Sequence, residues 1–165
     1  MSLCLTESAE DDSQILLAAG YESGHVCLYS VSSSSWSTTY SFKSHSQPVL
    51  SVTINPLKEF FYTSSADANL AQHSTALSSQ PFKVVNTKHS GQTSLSIRQD
   101  GRLLVSAGWD GSGRVYSATT LSQVAVLKWH SSGVQVAVFS AGKTGKSWIL
   151  LGGKDGKITL WDVFN

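Results

Sequence analysis

The chain has 165 residues, 41% of them apolar and 14% charged, with a net charge of +1. This is a globular composition with enough apolar residues for one core of ordinary size. The charge balance argues against nucleic acid as the main partner, because phosphate neutralisation needs clustered Lys and Arg. Two cysteines, Cys4 and Cys27, are too few for a four-thiolate metal site or a secreted-type disulfide framework. No signal-like stretch, membrane-length apolar run or glycosylation sequon is visible. The expectation is an intracellular protein with no membrane contact, cofactor, metal or small-molecule substrate.

Taken in chain order, SLCLTE at Ser2–Glu7 alternates apolar and polar residues and reads as a strand. It leads into a second strand and then into YESGHVCLYS, a turn followed by a third alternating stretch. Downstream, SADANLAQHS, GWDGSGRVYS and GKDGKITLWD share one frame. Each has an aspartate (Asp67, Asp110, Asp155), a small residue, and an alternating run reaching His73, Tyr116 or Trp161 six residues on. A histidine precedes each aspartate by 21 to 25 residues: His45, His89 and His130. YESGHVCLYS fits the frame with Ser23 at the aspartate position. In the third copy TSLSIR, RLLVSA, GRVYSA and SQVAVLKW are four strand candidates, separated by turn residues in QDG, WDGS and TTL. Helical periodicity is almost absent.

Four short strands in each period of about 41 to 45 residues mark the blades of an all-β propeller. The blades fall at roughly 1–43, 44–87, 88–128 and 129–165.

Two stretches suggest chemistry. SAGKTGKSWIL ends in Gly-Lys-Ser, as a phosphate-binding loop does, but Ser140 stands where the first glycine belongs. VQVAVF before it and SWILLGG after it both read as strands, so no helix N-terminus would face a phosphate. A hairpin carrying Lys143 and Lys146 on a solvated tip is the better reading. His89, Ser106 and Asp110 have the residue types of a nucleophilic triad. The same frame recurs in copies with no serine to serve as nucleophile, which favours a structural role.

These repeats resemble the WD40 family, and the last copy ends in the Trp161-Asp162 dipeptide. The resemblance implies a structural tetrad in each blade. It joins a histidine before the first strand, Ser/Thr in the second, an aspartate in the next turn and Trp in the third. The matching positions are His89, Ser106, Asp110 and Tyr116 in the third copy. The second has His45, Thr63 and Asp67, with His73 in place of Trp, and the last has His130, Asp155 and Trp161, with Leu151 in place of Ser/Thr. The first lacks both aspartate and serine. The family's ring has seven blades; four are expected here, the last without its outer strand. The chain therefore reads as the C-terminal half of a longer protein, expected alone to be marginally stable or to self-associate.

LLAAGYESGHVCLYSV, LLVSAGWDGSGRVYS, VAVLKWHSSGVQVAVFS and LLGGKDGKITLWDVF resemble one subgroup, the ASTRA-associated WD-repeat proteins and their G-protein-beta-subunit-like counterparts. That resemblance implies a non-enzymatic scaffold or adaptor, a member of the ASTRA chromatin-remodelling assembly. It also implies work with the cochaperone machinery that matures phosphatidylinositol-3-kinase-like kinases, in the nucleus and/or cytoplasm. The alternatives are a ubiquitin-ligase substrate receptor and a nucleotide-binding enzyme. Partners are expected at the residue before each turn aspartate: Glu22, Ala66, Trp109 and Lys154, with Trp109 the best anchor. Trp129 is expected to pack at a blade junction.

Overall fold

The computed structural model describes residues 1–8, 14–76, 79–140 and 147–163. Among these residues fifteen strands form four antiparallel sheets in chain order. The first holds β1 Ser2–Glu7, β2 Ile15–Gly20, β3 His25–Val31 and β4 Trp36–Lys43. The second holds β5 Val49–Ile54, β6 Phe60–Ser65, β7 Asn69–Ser74 and β8 Lys83–Asn86. The third holds β9 Gln92–Ile97, β10 Leu103–Gly108, β11 Ser112–Ser117 and β12 Gln123–Lys128. The fourth has three strands, β13 Val134–Phe139, β14 Trp148–Gly153 and β15 Ile158–Asp162. Each sheet is a meander in which every strand pairs with the next in sequence.

The sheets stack face to face as propeller blades, and their first strands β1, β5, β9 and β13 pack on one another in sequence. The core divides accordingly into three layers between blades. Ala18, Leu28 and Tyr40 meet Val49, Val52 and Phe61 between the first two blades. Tyr62 and Leu70 meet Leu95, Leu104 and Tyr116 between the second and third. Val105, Val115 and Leu127 meet Val134, Ile149 and Leu151 between the third and fourth. In the second and third sheets both faces lie against another blade, so the middle strands are buried on both sides, as in β10, LLVSAG, where five of six residues are buried.

The serine-rich sequence has a place in this packing. Ser51 Oγ on β5 accepts from Leu95 N at 2.9 Å; Ser94 and Ser96 on β9 accept from Ala137 N and Phe139 N at 3.2 and 3.1 Å. Neighbouring first strands are therefore tied by short hydroxyls that leave room for close approach. Gly113 on β11 serves the same end, since a Cβ there would lie 2.6 Å from the Leu151 side chain of the next blade.

Candidate functional site

The turns between the second and third strands of each sheet lie at one end of the stack, with the connections between sheets. At three of them the same bond recurs. The residue before the turn aspartate donates its N–H to the loop that enters its own blade: Ala66 to Pro48 O, Trp109 to Gly91 O and Lys154 to Gly133 O, at 2.9–3.0 Å. Glu22, Trp109 and Lys154 are all exposed on this end, whereas Ala66 is half-buried.

Beneath these turns the second blade holds a continuous relay. His45 Nδ1 lies 3.2 Å from Asp67 Oδ1, and Asp67 Oδ2 accepts from Ser46 N at 2.9 Å. His45 Nε2 lies 2.8 Å from Thr63 Oγ1, Thr63 Oγ1 lies 2.9 Å from His73 Nε2, and His73 Nδ1 lies 3.0 Å from Tyr40 OH in the first blade. Burial keeps both histidines neutral, and a carboxylate only accepts, so the direction of every bond follows. His45 donates to Asp67, Thr63 to His45, His73 to Thr63, and Tyr40 to His73. Every group is then satisfied. Burial holds the pKa of His45 below its ordinary value and depresses that of His73 to about 3, while it raises Tyr40 to about 12. His73 thus fills the Trp position by a stacked contact with Phe61, with centroids 4.6 Å apart, and by reaching into the neighbouring blade.

The fourth blade closes a shorter relay. His130 Nδ1 lies 3.0 Å from Asp155 Oδ1 and His130 Nε2 lies 3.1 Å from Thr159 Oγ1, which accepts from Trp161 Nε1 at 2.9 Å. The bond from His130 holds the Asp155 carboxyl below the usual carboxylate range. Thr159 was not singled out by the sequence. It pairs in register with Leu151, so it presents a hydroxyl on the same rung, one strand over. Its signal was present: Thr159 and Trp161 are two apart on one strand and share a face.

The third copy, whose sequence matches the tetrad best, makes a different network. His89 Nδ1 is 3.9 Å from Asp110 Oδ2, and both side chains are nearly half exposed. Asp110 instead takes a two-pronged ion pair from the buried Arg114: Nη1 to Oδ1 at 3.1 Å, and Nη2 to Oδ2. The guanidinium holds the Asp110 carboxyl low. Ser106 Oγ and Tyr116 OH are buried beside each other, apart from this ion pair. The expected network of His89, Ser106, Asp110 and Tyr116 is therefore corrected at His89, which stands 3.9 Å from Asp110, while Ser106 and Tyr116 lie together in the buried layer. A fully buried Ser106 also fails as a nucleophile.

One repeat position decides among these outcomes. Four residues after the turn aspartate stand Ala71, Arg114 and Thr159. Alanine leaves the relay to Thr63, arginine captures the aspartate from histidine, and threonine supplies the hydroxyl that Leu151 lacks. In the first copy Ser23, at the aspartate position, places its Oγ 3.0 Å from His25 Nδ1, and Tyr29 OH lies 2.8 Å from Tyr21 OH.

Trp109 lies flat over Gly91, whose φ of +72° leaves no Cβ in the way, and remains 49% exposed. Trp129, expected to be packed, is 55% exposed; its ring meets His130 edge-on at 5.4 Å and carries Lys157 Nζ 5.1 Å from its centroid. The Gly-Lys-Thr-Gly-Lys stretch with Lys143 and Lys146 lies outside the described residues, but β13 and β14 on either side of it pair as an antiparallel hairpin. A phosphate loop needs a helix where β14 stands. Among the described residues no group of three or more His, Cys, Asp or Glu is placed to hold a metal ion.

The family model "WD domain, G-beta repeat" matches residues 36–72 and 81–117. Each match starts at or just before the last strand of one sheet and runs through the first three of the next, so every repeat is shared between two blades. Two WD40 repeats are therefore present in the chain. Curated relatives named ASTRA-associated protein 1 match almost all of it. The Verticillium alfalfae protein is 40% identical over 99% of this chain and 50% of its own length, and that of Schizosaccharomyces pombe is 42% identical over 93% and 45%. The Schizosaccharomyces japonicus protein is 39% identical over 92% and 44%. The chain spans about half the length of the curated relatives it matches. A crystal structure of the computationally designed Ika4 protein superposes with a TM-score of 0.76 at 15% identity, over 99% of this chain and 90% of that one, a likeness of fold alone.

Proposed function

We propose that this WD40 chain is a non-catalytic scaffold that presents its turn-bearing end to protein partners in an ASTRA-associated assembly. The observation that carries the reading is the use of its polar chemistry. His45, Thr63 and His73, and His130, Thr159 and Asp155, are consumed in relays that fix the turns, leaving firmly held loops whose exposed side chains are free to meet a partner. The relatives' name supplies the assembly. Within that reading, the chain works with the cochaperones that mature phosphatidylinositol-3-kinase-like kinases and contributes to chromatin remodelling, in nucleus and cytoplasm. The test is affinity purification of the tagged chain from its own cells, followed by mass spectrometry. Co-purification of ASTRA subunits and kinase-maturation cochaperones is expected. Recovery of cullin-associated subunits instead would replace this reading with a ubiquitin-ligase receptor.

A further inference from the structure

Two exposed indoles, Trp109 and Trp129, share one end of the third and fourth blades. Turn 109–111 begins with Trp109, and loop 130–133 follows Trp129. The two backbones touch: a Cβ on Gly133 would meet Trp109 O at 3.0 Å, and one on Gly111 would meet His130 O at 2.9 Å. Around them Lys88, Lys128, Lys154 and Lys157 are all exposed. The carboxylates nearest the two indoles are engaged: Asp155 lies against His130, and Asp110 is held by Arg114. Glu22, exposed at the same end, belongs to the first blade. The free charge on the third and fourth blades at this end is therefore positive, although the whole chain carries only +1.

From this we infer that the face bearing Trp109, Trp129, Lys154 and Lys157 is a docking site for an acidic, extended protein segment that inserts an apolar or aromatic side chain against the indoles. This rests on the scaffold reading and names its partner's chemistry. Trp109 is pre-organised by its contact with Gly91 and its N–H bond to Gly91 O, so little side-chain freedom is lost on binding. Large rigid aromatics of this kind dominate interface energetics. Lys157 over Trp129 places a cation and a ring at one point, where an arriving carboxylate and its neighbouring apolar group are both matched. Single-stranded nucleic acid also uses aromatics with lysines. It fits less well, because Arg114 is buried in its ion pair and Arg98 is engaged with Asp100 rather than reaching this face.

The test uses the full chain and three fluorescein-labelled probes. One is a peptide alternating Glu and Asp around a single Phe, the second has Lys in place of the acids, and the third is oligo-dT. Anisotropy is expected to report salt-sensitive binding of the acidic peptide, weakened by at least about tenfold in Trp109→Ala and in Trp129→Ala. The double substitution Lys154→Glu/Lys157→Glu, confined to exposed side chains, should weaken it similarly while reversing preference toward the basic peptide. Unchanged acidic-peptide binding in all these variants overturns the proposal, as does tighter binding of oligo-dT that the same variants abolish. Repeating the affinity purification with the variants separates the two readings. A wild-type chain that recovers its assembly, alongside tryptophan variants that recover it equally, would sink this face and leave the scaffold standing.

Discussion

At the scale of single residues, the relays convert into sharply different costs for two hydroxyls that look alike in sequence. Thr159 Oγ1 serves both His130 Nε2 and Trp161 Nε1, so Thr159→Val removes two hydrogen bonds and leaves buried polar groups unpaired. A loss of about 1–3 kcal/mol is expected in urea-induced unfolding. Ser106 Oγ neighbours only Tyr116 among the tetrad groups and bridges no histidine, so Ser106→Ala should cost less, about 1 kcal/mol or below. Equal costs for the two would refute the assignment of the fourth-blade hydroxyl to Thr159. Gly91→Ala should also destabilise, by about 1–2 kcal/mol, because it adds a Cβ at positive φ directly beneath the Trp109 ring. A red-shifted tryptophan emission would report the displaced indole. The sequence marked the tetrad positions but not which of them would join. That choice is made at Asp+4, and its physics is a competition. A guanidinium four residues from Asp110 out-competes a distant imidazole, and no motif built on histidine, serine, aspartate and tryptophan contains that residue.

At the scale of elements, period-two alternation and turn residues made the strands legible, because each strand lies in a blade flanked by others and each turn needs only a few residues. What could not be read was the linkage between sheets, since Tyr40 and His73 lie 33 residues apart and no local pattern connects them. Their bond makes the second-blade relay a clamp across the first blade junction, and it works only with neutral histidines. His73 has a folded pKa of about 3, against an ordinary 6.5, and His45 is shifted in the same direction. The unfolded chain therefore takes up protons first. Stability is full above pH 6.5 and falls as pH drops from there toward 3, with a slope of up to about 1.4 kcal/mol per pH unit for each histidine. The depressed Asp155 carboxyl loses its contribution only as pH falls through the carboxylate range, a lower window. Urea midpoints measured between neutral and mildly acid pH should show the histidine slope. His73→Gln, which keeps a donor for Thr63 and an acceptor for Tyr40 without titrating, should flatten it. A parent slope no steeper than that of the variant would exclude His73 as its source.

At the scale of the whole molecule, the three buried layers between blades define what a blade face is made of, and the two outermost faces are made of the same material. On the fourth blade Val136 pairs across Gly152 with Ile158, and Val138 across Leu150 with Leu160. Val136, Val138, Ile158 and Leu160 are all exposed, Ile158 to 77%. On the first blade Leu3 and Leu5 face outward, and Leu5 lies in register with Leu17 and Tyr29. β15 also offers an unpaired strand edge beside this apolar face, an arrangement that invites association. The chain as it stands should therefore self-associate in sedimentation velocity, with a weight-average coefficient that climbs with concentration. Replacing Val138 and Leu160 together by lysine puts two charges in one row of that face without touching a buried contact. The variant should sediment as a monomer across the same range, while its unfolding free energy at low concentration stays within about 1 kcal/mol of the parent. A parent that is strictly monomeric throughout would mean that the two apolar faces are too small to drive association. A variant that associates as strongly as the parent would move the contact to the β15 edge or to the first blade.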